Sequence, residues 1–282
     1  MTVVVSWISR EREFPTLWVV ADSRLSTVKG MGIEPLLDCG SKLFSIRIAC
    51  IGPNVKGYYL DDIYFSTTIG MAFAGSSLIA LNLYAFISYT LGNMANANNL
   101  IPSMEEIANH VKAGFNSLLE SYINTNSTST RCEVSIFGYC AAMKKHRLFH
   151  LKHEAEDREI QFCELELRDH NSIHMMGNHT REIRERILTD RIKLTGSRYW
   201  RSPKATIERV IAEQAYPDIG GKLQLGISYP MGFRLTPIFH REQSLEGQSN
   251  ANLLYQGIDL YENTMLRNVG ECFINIDSIP SG

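Results

Sequence analysis

Residues 2–24 read TVVVSWISREREFPTLWVVADSR, and this stretch determines how the chain begins to fold. Its two apolar segments, Thr2 to Ile8 and Leu17 to Asp22, are rich in β-branched residues, which favour strands. A charged segment from Arg10 to Pro15 separates them and is typical of a turn. The pattern predicts a β-hairpin whose second strand ends on Asp22, beside the start of the first strand.

Two further strands follow the hairpin. After a predicted loop that contains Gly30, Gly32 and Pro35, residues alternate in character over Lys42 to Ile48, as in a strand. The segment Thr67 to Ala74 carries no charged residue and predicts a strand that is buried on both faces.

Two helices come next in the chain. After Gly75 the periodicity changes, and the pattern predicts a helix from Ser76 to about Met94. A second helix begins at Ser103, with Glu106 at the spacing of a capping box. The Asn/Ser/Thr-rich segment Asn124 to Thr130 ends this pair of helices as a loop.

The rest of the chain repeats the order of strands and then helices. Predicted strands are Glu133 to Cys140, Arg147 to His153, Glu159 to Leu165, Ser172 to Met176, and a hairpin of Leu223 to Ser228 with Gly232 to Ile238. Predicted helices are Thr180 to Leu194 and Ser202 to Ala215, and extra strands are Leu253 to Tyr261 and Glu271 to Ile276. This order predicts an α+β fold with two sheets packed face to face between helical layers, a four-layer αββα sandwich.

Composition limits the number of domains and the class of partner. The 282 residues, 44% of them hydrophobic, suffice for one large domain with a buried core. We assign residues 2–240 to this domain and residues 241–282 to a C-terminal extension of unknown role, which starts with a linker-like Gln/Asn/Ser-rich segment. With a formal net charge of −2 and no long Lys/Arg run, nucleic acid is not an expected ligand, and a protein or peptide is.

The sequence predicts a cytoplasmic protein that does not enter a membrane. Its six cysteines form no C-x-x-C pair, which argues against a disulfide framework and a zinc cage. The N-terminus lacks the basic and apolar regions of a signal peptide. Residues 63–104 carry no charge, but polar residues interrupt their apolar core, which is shorter than the roughly 20 residues of a membrane span.

Thr2 is the first candidate for chemistry. If Met1 is removed, Thr2 carries both a hydroxyl nucleophile and an α-amine with a reference pKa near 8. At neutral pH a usable fraction of that amine is neutral and accepts the hydroxyl proton, directly or through one water. Since many chains begin with Met-Thr, a strand-starting residue without chemistry is the alternative.

Three further residues support Thr2 from predicted strand ends. Asp22 ends the second strand, and Lys42 opens the next one, where a Lys paired to an Asp lowers the pKa of a nearby hydroxyl and amine. Gly75 joins a buried strand to a helix N-terminus, and the backbone N–H groups there can stabilise an oxyanion. Each also has an interpretation without chemistry: Asp22 as a turn residue, Lys42 as a residue at an exposed strand end, and Gly75 as part of a simple turn.

Taken in order, Thr2, Ala21-Asp22-Ser23-Arg24, Ser41-Lys42-Leu43-Phe44-Ser45-Ile46 and Ala74-Gly75-Ser76-Ser77 resemble the proteasome β-type subunits and their bacterial two-component relative. The resemblance covers about residues 2 to 240 and is strong over the first 80. It implies an N-terminal-nucleophile hydrolase fold, with Thr2 as nucleophile, Asp22 and Lys42 at its side, and an oxyanion-hole amide from Gly75.

The resemblance weakens in the second half of the chain. The family has Gly-Ser-Gly before its third helix, whereas this chain has Gly177-Asn178-His179 and so lacks a supporting serine. The family also has an Asp and a Ser just before Gly-Gly, whereas here Asp218 precedes Gly220-Gly221 out of the expected place and without the serine. Asp218 is therefore either a site residue that reaches the Thr2 amine or a turn residue after Pro217.

The histidines suggest no metal site. His150 and His153 are three apart in a predicted strand and so point to opposite faces, which argues against a chelating pair. We interpret His174 and His179 as solvated residues around a strand-to-helix turn.

Three functions follow from these residues. The favoured one is a threonine-type peptidase or amidohydrolase that needs no metal or organic cofactor. The second is a catalytically inactive ring-forming or scaffold subunit of the same fold, and the third is an amidase of the same fold that acts on a small molecule. From the resemblance we expect a peptide or protein substrate, a homo-oligomer such as a ring, and an unfoldase or other protein as a further candidate partner.

Overall fold

The structure is a computed structural model and describes residues 2–30, 32–59, 62–126, 130–157, 159–167, 172–243, 249–255, 258–259 and 279–280. The predicted α+β class is confirmed: the described residues form four helices and several sheets. The helices are α1 (Ser77–Leu91), α2 (Met104–Asn126), α3 (Thr180–Ile192) and α4 (Gly196–Ala212).

The strands fall into three stretches along the chain. Before α2 they are β1 (Val3–Ser9), β2 (Thr16–Asp22), β3 (Leu25–Lys29), β4 (Gly32–Leu37), β5 (Leu43–Ile51), β6 (Ile63–Gly75) and β7 (Met94–Ala95). Between α2 and α3 they are β8 (Cys132–Cys140), β9 (Lys145–His153), β10 (Gln161–Glu164) and β11 (Ile173–Gly177). After α4 they are β12 (Leu223–Tyr229), β13 (Gly232–Leu235), β14 (Ile238–Gln243), β15 (Ser249–Tyr255), β16 (Ile258–Asp259) and β17 (Ile279–Pro280).

Two large sheets organise the fold. The first has the strand order β11-β1-β2-β12-β13, and the second has the order β10-β9-β8-β6-β5-β7. The predicted N-terminal hairpin is confirmed, since β1 pairs antiparallel with β2 and Val4 lies opposite Ala21. In the same sheet Asp22 lies opposite Leu223 of β12, so a strand from late in the chain borders the end of β2.

Three clusters of buried apolar side chains hold the sheets and helices. One joins α1 and α2 to the second sheet and includes Phe73, Leu83 and Phe115. Another joins α3 and α4 to the first sheet and includes Trp7 and Ile187. The third contains inward-facing residues of both sheets: Val4, Leu17, Val19, Ala21, Leu43, Ala72, Ala74, Phe137, Leu148, Met176 and Phe233.

The predicted helix starts have clear local causes. The Ser76 hydroxyl accepts a hydrogen bond from the backbone N–H of Ile79 and caps α1. At α2 the capping box is present: the Ser103 N–H donates to Glu106 Oε2 at 2.7 Å, and the Glu106 N–H donates to Ser103 Oγ at 3.2 Å. No helix among the described residues has both the length and the apolar character that crossing a membrane requires.

Two predictions of local structure are wrong. The segment predicted as a Gly-rich loop is the hairpin β3–β4, in which Gly30 takes a φ of +61°; β4 is largely exposed and so lacks an apolar alternation. Helix α4 begins at Gly196 rather than Ser202, and Pro203 lies inside it. Proline cannot donate to the carbonyl four residues earlier, and the Ser202 hydroxyl donates to that Tyr199 carbonyl instead, at 2.8 Å.

The predicted extra strands lie near the C-terminus. The first is β15, which begins at Ser249 instead of Leu253 and pairs with β14. The second, Glu271 to Ile276, lies outside the described residues.

Candidate active site

A buried ion pair lies at the end of β2. Lys42 Nζ is 2.8 Å from Asp22 Oδ1, and both side chains are 0% exposed. The Asp22 carboxylate also accepts three backbone N–H groups, from Val3 at 3.1 Å, Gly220 at 3.1 Å and Arg24 at 3.2 Å. Because Val3 directly follows Thr2, Asp22 fixes the backbone beside Thr2.

Burial sets the pKa values of this pair. Loss of water raises the pKa of the Asp22 carboxyl, and the charge and hydrogen bond of Lys42 oppose that rise. Loss of water likewise lowers the pKa of the Lys42 ammonium, which the charges of Asp22 and then Asp218 oppose. The two carboxylates therefore both favour the charged form of Lys42.

Lys42 is positioned by a residue that sequence reasoning missed. The Gln224 side chain accepts the backbone N–H groups of Lys42 at 3.0 Å and Leu43 at 3.1 Å, and donates to the Gly40 carbonyl at 2.6 Å. Gln224 is 6% exposed and lies on β12. The only feature of the sequence that indicates this role is a polar side chain at an inward-facing position of a predicted strand.

Thr2 is held through its backbone. Its carbonyl accepts the N–H of Asn178 at 2.9 Å, and Thr2 is 2% exposed. Gly177 comes close enough that a Cβ there would lie 1.9 Å from the Thr2 carbonyl oxygen, and its φ of +93° also favours glycine. A glycine is therefore required beside Thr2.

Asp218 is connected to the site through Asn178 and His179, which lie where the family resemblance weakens. Asp218 is 0% exposed, and its carboxylate accepts Asn178 Nδ2 at 2.8 Å and lies 3.0 Å from His179 Nε2. The His179 ring stacks on Tyr216 at 3.9 Å. The interpretation of His179 as a solvated surface residue is wrong, because its ring bonds a buried carboxylate. Asn178 connects Asp218 to the Thr2 carbonyl at the point where the family resemblance implied a serine.

Gly75 lies at the end of β6 on the same side of the fold. It is exposed, has a φ of +98° and lies opposite Cys132 in the sheet. A Cβ at Gly177 would lie 3.4 Å from the Ala74 side chain, so the end of β6 adjoins the segment that holds Thr2. The structure thus brings Asp22 and Lys42 into direct contact. Thr2, Asp218 and Gly75 lie around this pair and are connected to it through residues that neighbour them in the chain.

The chain resembles several solved structures at low sequence identity. Anbu (ancestral beta-subunit) from Yersinia bercovieri has 15% identity over 82% of each chain, with a TM-score of 0.51. Anbu from Pseudomonas aeruginosa, described as a helical assembly, has 12% identity over 83% of this chain and 85% of that one, with a TM-score of 0.54. A mutant of Anbu from Hyphomicrobium sp. strain MC1 has 15% identity over 84% and 86%, with a TM-score of 0.50.

The chain has a proteasome-like fold. No protein-family model matches it, and no curated protein matches its sequence. The assignment to the proteasome β-type subunits or their bacterial two-component relative is wrong, because these structural relatives are Anbu proteins. At 12–15% identity the likeness extends to the fold and not to the family.

Two of the histidines form a partly buried pair. His150 and His174 face each other between the sheets with ring centroids 4.9 Å apart, and burial lowers the pKa of His174 to about 3. The interpretation of His174 as a solvated residue is therefore wrong. Within the described residues no three His, Cys, Asp or Glu side chains are arranged to hold a metal ion.

The Gly177→Ala substitution tests the close approach to Thr2. We expect a larger loss of unfolding free energy than for Gly57→Ala, because Gly57 has a φ of +81° but open space around its Cβ position. Gly57→Ala is the control, and its loss of unfolding free energy, about 1–2 kcal/mol, measures the backbone strain alone. In Gly177→Ala the clash with the Thr2 carbonyl adds a further loss of about 1–3 kcal/mol. Urea unfolding measures both, and equal losses would contradict the contact with Thr2.

The Asp22→Ala substitution tests the buried ion pair. It leaves the Lys42 ammonium buried and unpaired, so we expect a loss of about 3–5 kcal/mol of unfolding free energy. Glu34→Ala is the control, because the Lys29–Glu34 pair is exposed and its loss costs at most about 1 kcal/mol. Adding Lys42→Met to Asp22→Ala should recover part of the loss, and no recovery in urea unfolding would mean that the ammonium is not the source of the cost.

Proposed function

We propose that this chain is a threonine-type peptidase or amidohydrolase in which Thr2, made N-terminal by removal of Met1, is the nucleophile. The observation that carries the proposal is the buried Asp22–Lys42 pair, whose carboxylate binds the N–H of the residue after Thr2. A buried ion pair is a costly way to stabilise the start of a strand. A buried charge does, however, shift the pKa of a neighbouring nucleophile, so the pair favours a catalytic role.

The proposed reaction has two steps. The Thr2 α-amine takes the hydroxyl proton while the hydroxyl oxygen attacks the amide carbonyl, and it then passes that proton to the leaving amine. Water next attacks the resulting ester, with the amine again as base, and releases the acid. The positive charge of Lys42 lowers the pKa of the Thr2 hydroxyl and amine, and the Gly75 N–H stabilises the oxyanion.

Asp218 has a proposed positioning role. Its carboxylate bonds Asn178, whose backbone N–H holds the Thr2 carbonyl. We assign to Asp218 the orientation of Thr2 through Asn178, together with support for the charge on Lys42.

Reaction with a peptide epoxyketone tests this function, since the adduct requires both a hydroxyl nucleophile and a free terminal amine. Intact-mass measurement first establishes that Met1 has been lost. We expect one adduct, on Thr2, that is absent in Thr2→Ala and retained in Thr16→Ala, which removes a different buried hydroxyl. Protein without Met1 that forms no adduct would contradict the proposal.

One observation favours a second candidate, a catalytically inactive subunit of an assembly. In the chain that still carries Met1, Thr2 is 2% exposed, and such a chain has neither an open Thr2 hydroxyl nor a terminal amine on Thr2. This candidate predicts no adduct even after Met1 removal, together with normal folding and assembly.

We also propose the finer architecture, an αββα order of four layers within a domain of residues 2–240. The separate apolar clusters of α1 with α2 and of α3 with α4 support it, as does the third cluster between the sheets. β14 (Ile238–Gln243) crosses the proposed boundary at residue 240 and pairs along its whole length with β15 of the proposed extension, residues 241–282.

We propose that the chain forms a homo-oligomer, as a ring or a helical array, through α1. The outer face of this helix exposes Leu78, Leu81, Phe86 and Tyr89, and residues 63–104 carry no charge. Large apolar residues thus lie on the outer face of α1 as well as on its inner face, which is typical of a helix that is buried, and a second copy of the chain offers the same uncharged face. The helical assembly described for the Pseudomonas aeruginosa relative supports this proposal.

The Leu81→Glu substitution tests the assembly. A buried carboxylate on the proposed interface should dissociate the oligomer, because burying an unpaired charge is costly. Ile192→Glu makes a similar change at the end of α3, where Ile192 is 85% exposed, and should leave the oligomer intact. Analytical ultracentrifugation measures both, and an unchanged mass for Leu81→Glu would exclude α1 as the interface.

A further inference from the structure

A cavity of about 440 Å³ lies between the two main sheets. Ile8, near the end of β1, lines it, whereas Thr2 directly precedes the start of β1. At about 3.3 Å per residue, Thr2 and Ile8 are roughly 20 Å apart along the strand. In the second sheet the cavity is lined by Lys144, in the turn between β8 and β9, and by Lys145, the first residue of β9, while Gly75 lies opposite Cys132 at the other end of β8. The cavity is thus separate from the candidate active site.

The floor of the cavity is apolar. Leu17 and Leu148 line it and belong to the buried cluster between the sheets. Ile8, Leu165 and Leu167 also line it and pack against that cluster while remaining partly exposed. A ligand that enters here buries apolar atoms against aliphatic side chains from both sheets.

The rim of the cavity has an excess of positive charge. Arg10, Lys144 and Lys145 line it and are exposed. Arg147 adds little to this excess, because its guanidinium bonds Glu164 at 2.6 Å and Glu105 at 3.2 Å, and these bonds raise its pKa. Glu166 is the remaining carboxylate of the lining.

We propose that this cavity binds an amphipathic carboxylate, a small molecule with an apolar body and one carboxylate at its end. The apolar body lies on Leu17, Leu148 and Leu167, and the carboxylate lies at the rim beside Lys144 and Lys145. The volume lies within the range of small-molecule pockets, about 300–1,000 Å³. This proposal does not depend on the chemistry of Thr2.

Calorimetric titration with octanoate tests the proposal, with octan-1-ol and octylamine as neutral and cationic controls of equal chain length. We expect octanoate to bind more tightly than octan-1-ol, and octylamine to bind most weakly. Raising the ionic strength to 0.5 M should weaken octanoate alone, because salt screens exposed charges. Failure of octanoate to bind, or equal binding of octanoate and octan-1-ol, would overturn the proposal.

Four variants locate the ligand. Lys144→Gln with Lys145→Gln should weaken octanoate binding by about fivefold or more, whereas Lys56→Gln with Lys193→Gln removes the same charge from exposed positions elsewhere and should have no effect. Leu167→Trp should weaken octanoate binding by occupying part of the apolar floor, with circular dichroism and thermal unfolding as checks of its fold. Thr2→Ala should bind octanoate normally. Loss of binding in Thr2→Ala, or equal binding by the two double variants, would overturn the assignment to this cavity.

Discussion

The contact between the Lys42 ammonium and the Asp22 carboxylate is the constraint on which the N-terminal end of the fold depends. Removing these two groups from water costs several kcal/mol per ion. Their mutual attraction and the hydrogen bonds from three backbone N–H groups to Asp22 offset part of this cost. Those N–H groups belong to the start of β1, the segment after β2 and the loop before β12. One carboxylate therefore ties together three parts of the chain beside Thr2.

The residues that support this pair come from the distant second half of the chain. Gln224 binds the N–H of Lys42 across 182 positions, and Gly220 donates to Asp22 across 198. Asn178 holds the Thr2 carbonyl and is itself held by Asp218. The order of the first sheet explains this convergence, because β1 and β2 lie between β11 and β12.

The sequence predicts well what local chemistry determines. The N-terminal hairpin follows from strand periodicity, and the start of α2 follows from the reciprocal bonds of Ser103 and Glu106. The pairing of Asp22 with Lys42 was also accessible, since both lie at predicted strand ends. The roles of Gln224, Asn178 and His179 were not accessible, because each depends on a partner that the chain brings near only after both sheets have formed. The first six residues of α4 were missed for a different reason, since a local bond from Ser202 replaces the one that Pro203 cannot make.

The energetics of the ion pair bear on the choice between the two proposed functions. An inactive subunit needs only a stable strand end, and well-packed apolar residues commonly serve that purpose as well as a buried pair does, or better by about 1–4 kcal/mol. A nucleophile needs a fixed positive charge nearby, and Asp218 supports that charge in addition to Asp22. The low exposure of Thr2 in the chain that still carries Met1 does not account for the placement of a lysine and two carboxylates, all 0% exposed, around its backbone. The cost of burying these charges therefore favours the proposed chemistry at Thr2 over a role in assembly alone.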